Sequence, residues 1–223
     1  GRDLVLPGGG VLNMAWHLRD EPDPWHLLTR VGDDRPEVFL DFLARHGIAH
    51  SPGSIVGRGP SAAIDIAIQP DLQPHMDNFV EGVWATYRST PEEEALVAGA
   101  QRIHLVLVEG AIRELDRLHA AGLTDVAQVT ADFLGFRHYT VERFAETMRA
   151  VDVGFVGWPG TLDDRVVDGI RDVAHGLGRL VVVTLGSRGV QVFDGRPGGK
   201  DQFVPVVPLT VRGTTVGCGD AFV

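Results

Sequence analysis

Near the end of the chain, the run Gly213-Thr214-Thr215-Val216-Gly217-Cys218-Gly219-Asp220-Ala221-Phe222-Val223 sets two glycines around one small residue and follows them with a carboxylate. Glycine at 217 and 219 permits backbone angles and close approaches that a side chain forbids. The amides of Gly217, Cys218 and Gly219 can therefore converge on one point. The apolar residues after Asp220 read as the opening turn of a helix, whose unpaired N–H groups and positive dipole end favour an anion. A carboxylate at the rim of such a nest suits a general base, which takes a proton from a hydroxyl while phosphate oxygens are held beside it. The same residues also read as a tight turn with Asp220 as an ordinary N-cap. Local chemistry alone does not choose between the two.

A second cluster, Gly8-Gly9-Gly10-Val11-Leu12-Asn13-Met14-Ala15, lies near the start of the chain. Val11, Leu12, Met14, Ala15 and Leu18 have helical spacing, so this is a glycine-rich turn entering a helix with Asn13 in its first turns. As a dinucleotide-binding fingerprint the cluster fails at its sixth position, which is Asn13.

The C-terminal segment Thr214 to Phe222 resembles the signature of the ribokinase-like (PfkB) carbohydrate kinases, Asp-Thr-Thr/Val-Gly-Ala/Cys-Gly-Asp-Ala-Phe. In that family the Gly-x-Gly amides form an anion hole and the last Asp is the catalytic base. The resemblance thus implies Asp220 as base, with Gly217, Cys218 and Gly219 as the anion hole. It departs at Thr214, where the family usually has Asp. The N-terminal cluster resembles the family's Gly-Gly-x-x-x-Asn-x-Ala motif, which implies sugar contacts from Gly8, Gly9 and Asn13. Glycines let a sugar ring lie against backbone, and an amide both donates and accepts. Leu27-Leu28-Thr29-Arg30-Val31-Gly32-Asp33-Asp34 reads as a short strand followed by a turn, and Val31-Gly32-Asp33-Asp34 with a helix over Glu37 to His46 and Gly47 as its C-cap fits the same pattern. Asp34 is there either a substrate contact or a cap. Val181 to Val190 resembles the family's Thr-Leu-Gly-x-x-Gly segment along the ATP phosphates, with a hydroxyl from Thr184 and a backbone approach at Gly186. Thr215 of the final motif joins them as a cofactor contact. After Val153 to Val156 many family members carry Asn-x-x-Glu, which helps hold magnesium through water. Gly157 and Gly160 stand at those positions here, so no protein metal ligand is assigned.

Composition narrows the classes. The chain has 223 residues, 44% of them hydrophobic and 22% charged, enough for one sizeable core. A formal net charge of −10 argues against a nucleic-acid or anionic-membrane surface. It leaves a nucleotide open, because a phosphate site needs only local donors. One cysteine, Cys218, makes no intrachain disulfide, so nothing points to secretion. No apolar run is long enough to span a bilayer. No histidine pair has zinc spacing; His17, His104 and the others read as surface or packing residues. Both ends are abrupt, and the expectation is a single ribokinase-like domain over 1–223, incomplete at each end.

Elements must position these groups. Ser61 to Ile68 alternates as a strand and Asn78 to Tyr87 reads as another; the resemblance makes the strands within 55–88 a small β lid that covers the sugar and helps make dimers. A strand broken by two prolines is expected over Phe203 to Val211. From Pro91 onwards the pattern is helix-strand alternation: helices over Pro91 to Gly99, Ala111 to Ala121, Thr140 to Ala150 and Leu162 to Leu177, strands over Ile103 to Val108, Val126 to Ala131, Val153 to Val156 and Leu180 to Thr184. Such repeats need a mainly parallel sheet with helices on both faces, and ligands gather at the carboxyl ends of its strands.

The expected architecture is therefore an α/β, ribokinase-like three-layer sandwich with a β lid. The expected function is transfer of a phosphoryl group from ATP, with Mg2+, to a hydroxymethyl group of a sugar or sugar derivative in the cytoplasm. A homodimer through the lid goes with it, and neither nucleic acid nor membrane is a partner. Three rivals stand beside this reading: a nucleoside kinase of the same family, a non-catalytic sugar or nucleotide sensor motivated by Thr214, and, on the Gly8 cluster alone, a dinucleotide-dependent oxidoreductase.

Overall fold

The computed structural model describes residues 4–70, 74–136, 139–207 and 215–223. Its helices are α1 (Gly10–Leu18), α2 (Pro36–Arg45), α3 (Pro91–Gly99), α4 (Glu109–Ala120), α5 (Val141–Thr147), α6 (Arg165–Leu177) and α7 (Cys218–Phe222). Its strands are β1 (Val31–Gly32), β2 (Val56–Gly57), β3 (Ala63–Ile68), β4 (Pro74–Val80), β5 (Arg102–Val106), β6 (Gln128–Asp132), β7 (Val153–Gly157), β8 (Leu180–Thr184), β9 (Val190–Asp194) and β10 (Gln202–Val204). They fall into two compact units: residues 1–93 with 211–223, and residues 94–210.

The 94–210 unit is built on a sheet ordered β10-β9-β8-β7-β6-β5. Strands β5 to β8 are parallel neighbours, while β9 and β10 return antiparallel. Each parallel step moves one place along the sheet through α4, α5 or α6, and the right-handed crossover rule puts those three helices on one face. Their apolar sides close the core: Leu115 from α4, Phe144 from α5 and Ile170 from α6 are fully buried beside Phe133, Met148 and Val181. Boundaries follow local chemistry. Thr140 caps α5, its side chain accepting from the Arg143 amide at 3.3 Å. Gly178, at φ 66°, stops α6 in a left-handed turn that glycine enters without strain.

A half-buried histidine with one enclosed ring nitrogen gives this unit a pH dependence. On β5, His104 Nδ1 meets Thr130 Oγ1 at 2.7 Å, while its Nε2 is buried without a partner. Burial pushes its pKa down from 6.5 to about 4. Between those values the unfolded chain binds a proton that the folded chain refuses. Stability is therefore complete above pH 6.5 and falls as the pH drops toward 4, by about 2–3 kcal/mol. Chemical denaturation at pH 7 and pH 4.5 should show this loss, and His104→Leu should shrink it.

In the other unit, α1, β1, α2 and β2 pack around Leu12, Ala15, Leu27, Val31, Leu43, Ile48 and Ile55. The short parallel pair β1–β2 is framed by a bridge between Leu27 and His50. Glu93, fully buried, accepts the Thr90 amide at 2.8 Å while its own amide donates to Thr90 Oγ1 at 3.3 Å. This reciprocal box starts α3. The carboxylate also takes Ser54 Oγ at 2.5 Å and the Arg30 guanidinium at 3.3 Å, so its buried charge is paired.

Strands β3 and β4 form a separate antiparallel pair. The second strand ends at Val80 rather than running from Asn78 to Tyr87, and Gly82–Thr86 is a 3-10 turn. Gly82 explains the change: it sits at φ 55°, and a Cβ there would lie 2.4 Å from the Pro60 carbonyl, so the chain turns where a strand would continue. Two further boundaries differ. β10 covers Gln202–Val204, meeting the expected 203–211 strand only at Phe203 and Val204, and residues 208–214, with Thr214, lie outside the described residues. Leu27 to Thr29 contributes a single bridge before β1.

Candidate active site

The glycine-rich turns place two candidate pockets, one in each unit. In the first, Gly9 sits at φ 98° ahead of α1, and its carbonyl accepts the amides of Leu12 and Asn13 at 3.1 and 3.0 Å. That left-handed backbone requires glycine; Gly8 beside it faces open space. Asn13 is thereby fixed in the first turns of α1, which packs against α7. Gly217, at φ 80°, turns the chain into α7. The two ends of the sequence meet here: Asn13 Nδ2 donates to Asp220 Oδ2 at 2.6 Å. A cavity of about 370 Å³ opens beside them, lined by Asn13, Trp16, His17, Val216, Gly217, Cys218 and Ala221.

The amides of the Gly-Cys-Gly turn are not equivalent. The Cys218 amide donates to the Thr215 carbonyl at 3.1 Å, which tightens the turn and engages that donor. The Gly217 and Gly219 amides have no acceptor among the described residues. Thr215 thus acts on the turn through its backbone, with its side chain half-buried.

Asp34 stands apart from this cavity. Its Oδ1 accepts both the amide and the hydroxyl of Ser61, each at 2.9 Å. Those two bonds hold its carboxyl below the usual carboxylate range. Asp33 accepts the Gly59 amide at 3.0 Å, so the acidic pair braces the turn before β3.

The second pocket, about 290 Å³, lies at the carboxyl ends of β6, β7 and β8, lined by Gly135, Gly157, Trp158, Pro159, Thr184 and Gly186. This is where an open parallel sheet offers a ligand site. Thr184 ends β8, and Gly186 turns at φ 60° with open space around its Cα. On either side of Gly135, Leu134 and Phe136 hold φ of 55° and 60°, a strained backbone for residues with side chains. The strain is tied down on both sides: Leu134 N donates to Asp132 Oδ1 at 2.7 Å and Gly157 N to Leu134 O at 2.8 Å. Arg188 bridges the two turns of the pocket, donating to the carbonyls of Leu185 at 3.2 Å and Pro159 at 2.9 Å.

Among the described residues, the donor set does not fit a protein-held magnesium. At the positions where the Asn-x-x-Glu residues would fall, a Cβ on Gly160 would lie 2.0 Å from Asp164 Oδ2 and 2.6 Å from Trp158 Nε1. That space belongs to a hydrogen bond, Trp158 Nε1 to Asp164 Oδ2 at 2.9 Å. The Asp164 carboxylate also accepts the Thr161 amide at 2.8 Å, and these bonds, the indole's first, hold its carboxyl low. Among the described residues no group of three His, Cys, Asp or Glu could hold a metal ion, and no helix is long and apolar enough to cross a membrane.

Several lining residues escaped the sequence reading. Trp16 and His17 follow Asn13 at i+3 and i+4, the spacing that shares a helix face, so they could have been found from Asn13. Trp158 carries no such signal; it emerges only once β7 is seen to end one residue earlier.

No family model matches the chain. It is 28% identical over its whole length to a cytidine kinase of Thermococcus kodakarensis, covering 79% of that protein. Its structure superposes over the whole chain on the ribokinase of Giardia lamblia, with a TM-score of 0.77, 15% identity and 74% of that chain covered. The adenosine kinase of Sinorhizobium meliloti gives 0.74 and 23% identity, again over the whole chain and 70% of the neighbour. The comparisons and the motifs agree: the chain has the ribokinase-like α/β fold, and its resemblance is to the PfkB family of sugar and nucleoside kinases.

Proposed function

We propose that the chain is an ATP-dependent kinase that phosphorylates a hydroxymethyl group of a sugar or sugar derivative. The observation that carries this reading is the 2.6 Å bond from Asn13 to Asp220. It joins the residue that the resemblance assigns to the acceptor with the one it assigns to the base. In this reading Asp220 takes the proton of the acceptor hydroxyl as its oxygen bonds to the terminal phosphorus of ATP. The bond from that phosphorus to the bridging oxygen breaks, and ADP leaves. Gly217 and Gly219 offer free amides to the transferred group's charge, with Cys218 completing the turn. Gly8, Gly9 and Asn13 hold the acceptor. Thr184 and Gly186 lie along the nucleotide phosphates, with Thr215 supporting the anion turn. Asp34 acts through the Ser61 turn. Magnesium, in this reading, arrives with the nucleotide rather than on a protein carboxylate.

A nucleoside acceptor is the second reading, favoured by the cytidine kinase relative. A cytoplasmic location and a homodimer through the β3–β4 lid belong to the same proposal. The exposed Ile64, Ile66, Ile68 and Met76 on that hairpin supply an apolar face for the dimer.

The test is ADP release from ATP with magnesium, against separate pools of sugars, glycated amines and nucleosides. Release with one pool supports the kinase and selects between the readings. Bound ATP with silence on every pool would favour a sensor instead.

A further inference from the structure

Asp220 has two carboxylate oxygens, and the structure treats them differently. Oδ2 accepts the Asn13 amide at 2.6 Å, shorter than the roughly 2.7–2.9 Å of charge-assisted N–H bonds to oxygen. Oδ1 accepts no hydrogen bond among the described residues. The main chain that carries this amide is anchored, because the Asn13 backbone N–H donates to the Gly9 carbonyl at 3.0 Å. Gly217 lies against the pair: a Cβ there would stand in ordinary contact, 3.4 Å from Asn13 Nδ2 and 3.9 Å from Asp220 Oδ2. The other ionisable side chains of this cavity are His17 on α1 and Cys218 on α7.

We infer that Asn13 is a positioning residue for Asp220, over and above any contact it makes with the acceptor. By occupying Oδ2 it fixes the rotation of the carboxylate and leaves Oδ1 as the oxygen that receives the proton. This inference rests on the kinase reading. It makes a demand that acceptor binding alone does not: Asn13 and Asp220 act as one unit, so their substitutions are not additive.

A double-mutant cycle on the full chain tests it, using the acceptor pool that supports ADP release. Asn13→Leu is expected to lower kcat on the order of tenfold to a hundredfold when Asp220 is present, and to change it little in the Asp220→Asn background. Asn13→Ser, a smaller change should the leucine variant fail to fold, moves in the same direction. Raised KM with unchanged kcat, by the same factor in both backgrounds, would overturn the inference. The side-chain amide signal of Asn13, assigned by its loss in Asn13→Leu, supplies a readout that needs no acceptor. It should move in Asp220→Ala, and an unmoved signal would likewise overturn the inference. Failure of the kinase reading looks different: no turnover on any pool, whatever the Asn13 signal does.

Discussion

Asp220→Asn is expected to lower phosphoryl transfer by about 10²–10⁴-fold, the contribution of a positioned general base. The amide keeps the size of the side chain but cannot take the proton. Asp220 is only half-buried on the short helix α7, and among the described residues its side chain bonds to Asn13 alone. The fold and the nucleotide affinity should therefore be nearly unchanged, because the residues assigned to the phosphates, Thr184 and Gly186, line a different pocket. Thermal melts, ATP titration and steady-state ADP release on the same preparation check the three parts. Turnover close to that of the unsubstituted protein would remove Asp220 from the role of base.

The largest expected effect on stability comes from one glycine. A Cβ on Gly32 would lie 2.2 Å from the Gly59 carbonyl oxygen, 2.2 Å from the Ser61 amide and 2.4 Å from the Pro60 carbonyl carbon. All three are backbone atoms, so no side-chain rotation relieves the overlap. The same turn is braced by Asp34 on Ser61 and by the Gly32 amide donating to Ser61 Oγ at 2.9 Å. Gly32→Ala must push this turn away from β1 and weaken those bonds together. The cost should be about 3 kcal/mol, or a melting temperature lower by roughly 10 °C for a chain of this size. Differential scanning calorimetry reads it directly. A variant that melts with the parent protein would show that the turn moves freely.

Much of the architecture was legible because local signals agreed with tertiary structure. The parallel strands β5 to β8 are short apolar runs between amphipathic helices, and each appears within a few residues of its expected place. The errors fall where a long-range contact decides. Asn78 to Tyr87 has strand-like residues, but the close approach of Gly82 to the Pro60 carbonyl turns the chain. The site shows the same division. Gly9 and Gly217 were readable as turn glycines, and both hold positive φ. The bond from Asn13 to Asp220 was not readable, because a separation of 207 positions leaves no local trace. Nor did three equivalent amides survive: the Cys218 donor closes its own turn onto Thr215, a contact that follows from the turn's geometry rather than from residue type. The indole of Trp158 and the carboxylate of Asp164 fill the space at Gly160, where the Glu of Asn-x-x-Glu would stand, which a motif search registers only as a missing match.

The central claim is that this protein moves the terminal phosphate of ATP onto an alcohol, with Asp220 as the base. The most direct measurement follows that phosphate, using ATP labelled at its terminal phosphorus, the full chain, and pools of sugars and nucleosides. The account predicts label in a phosphorylated acceptor from one pool, and its near-complete loss in Asp220→Asn. Label that stays in ATP with every pool, or that reaches the acceptor equally well without the Asp220 carboxylate, would contradict it.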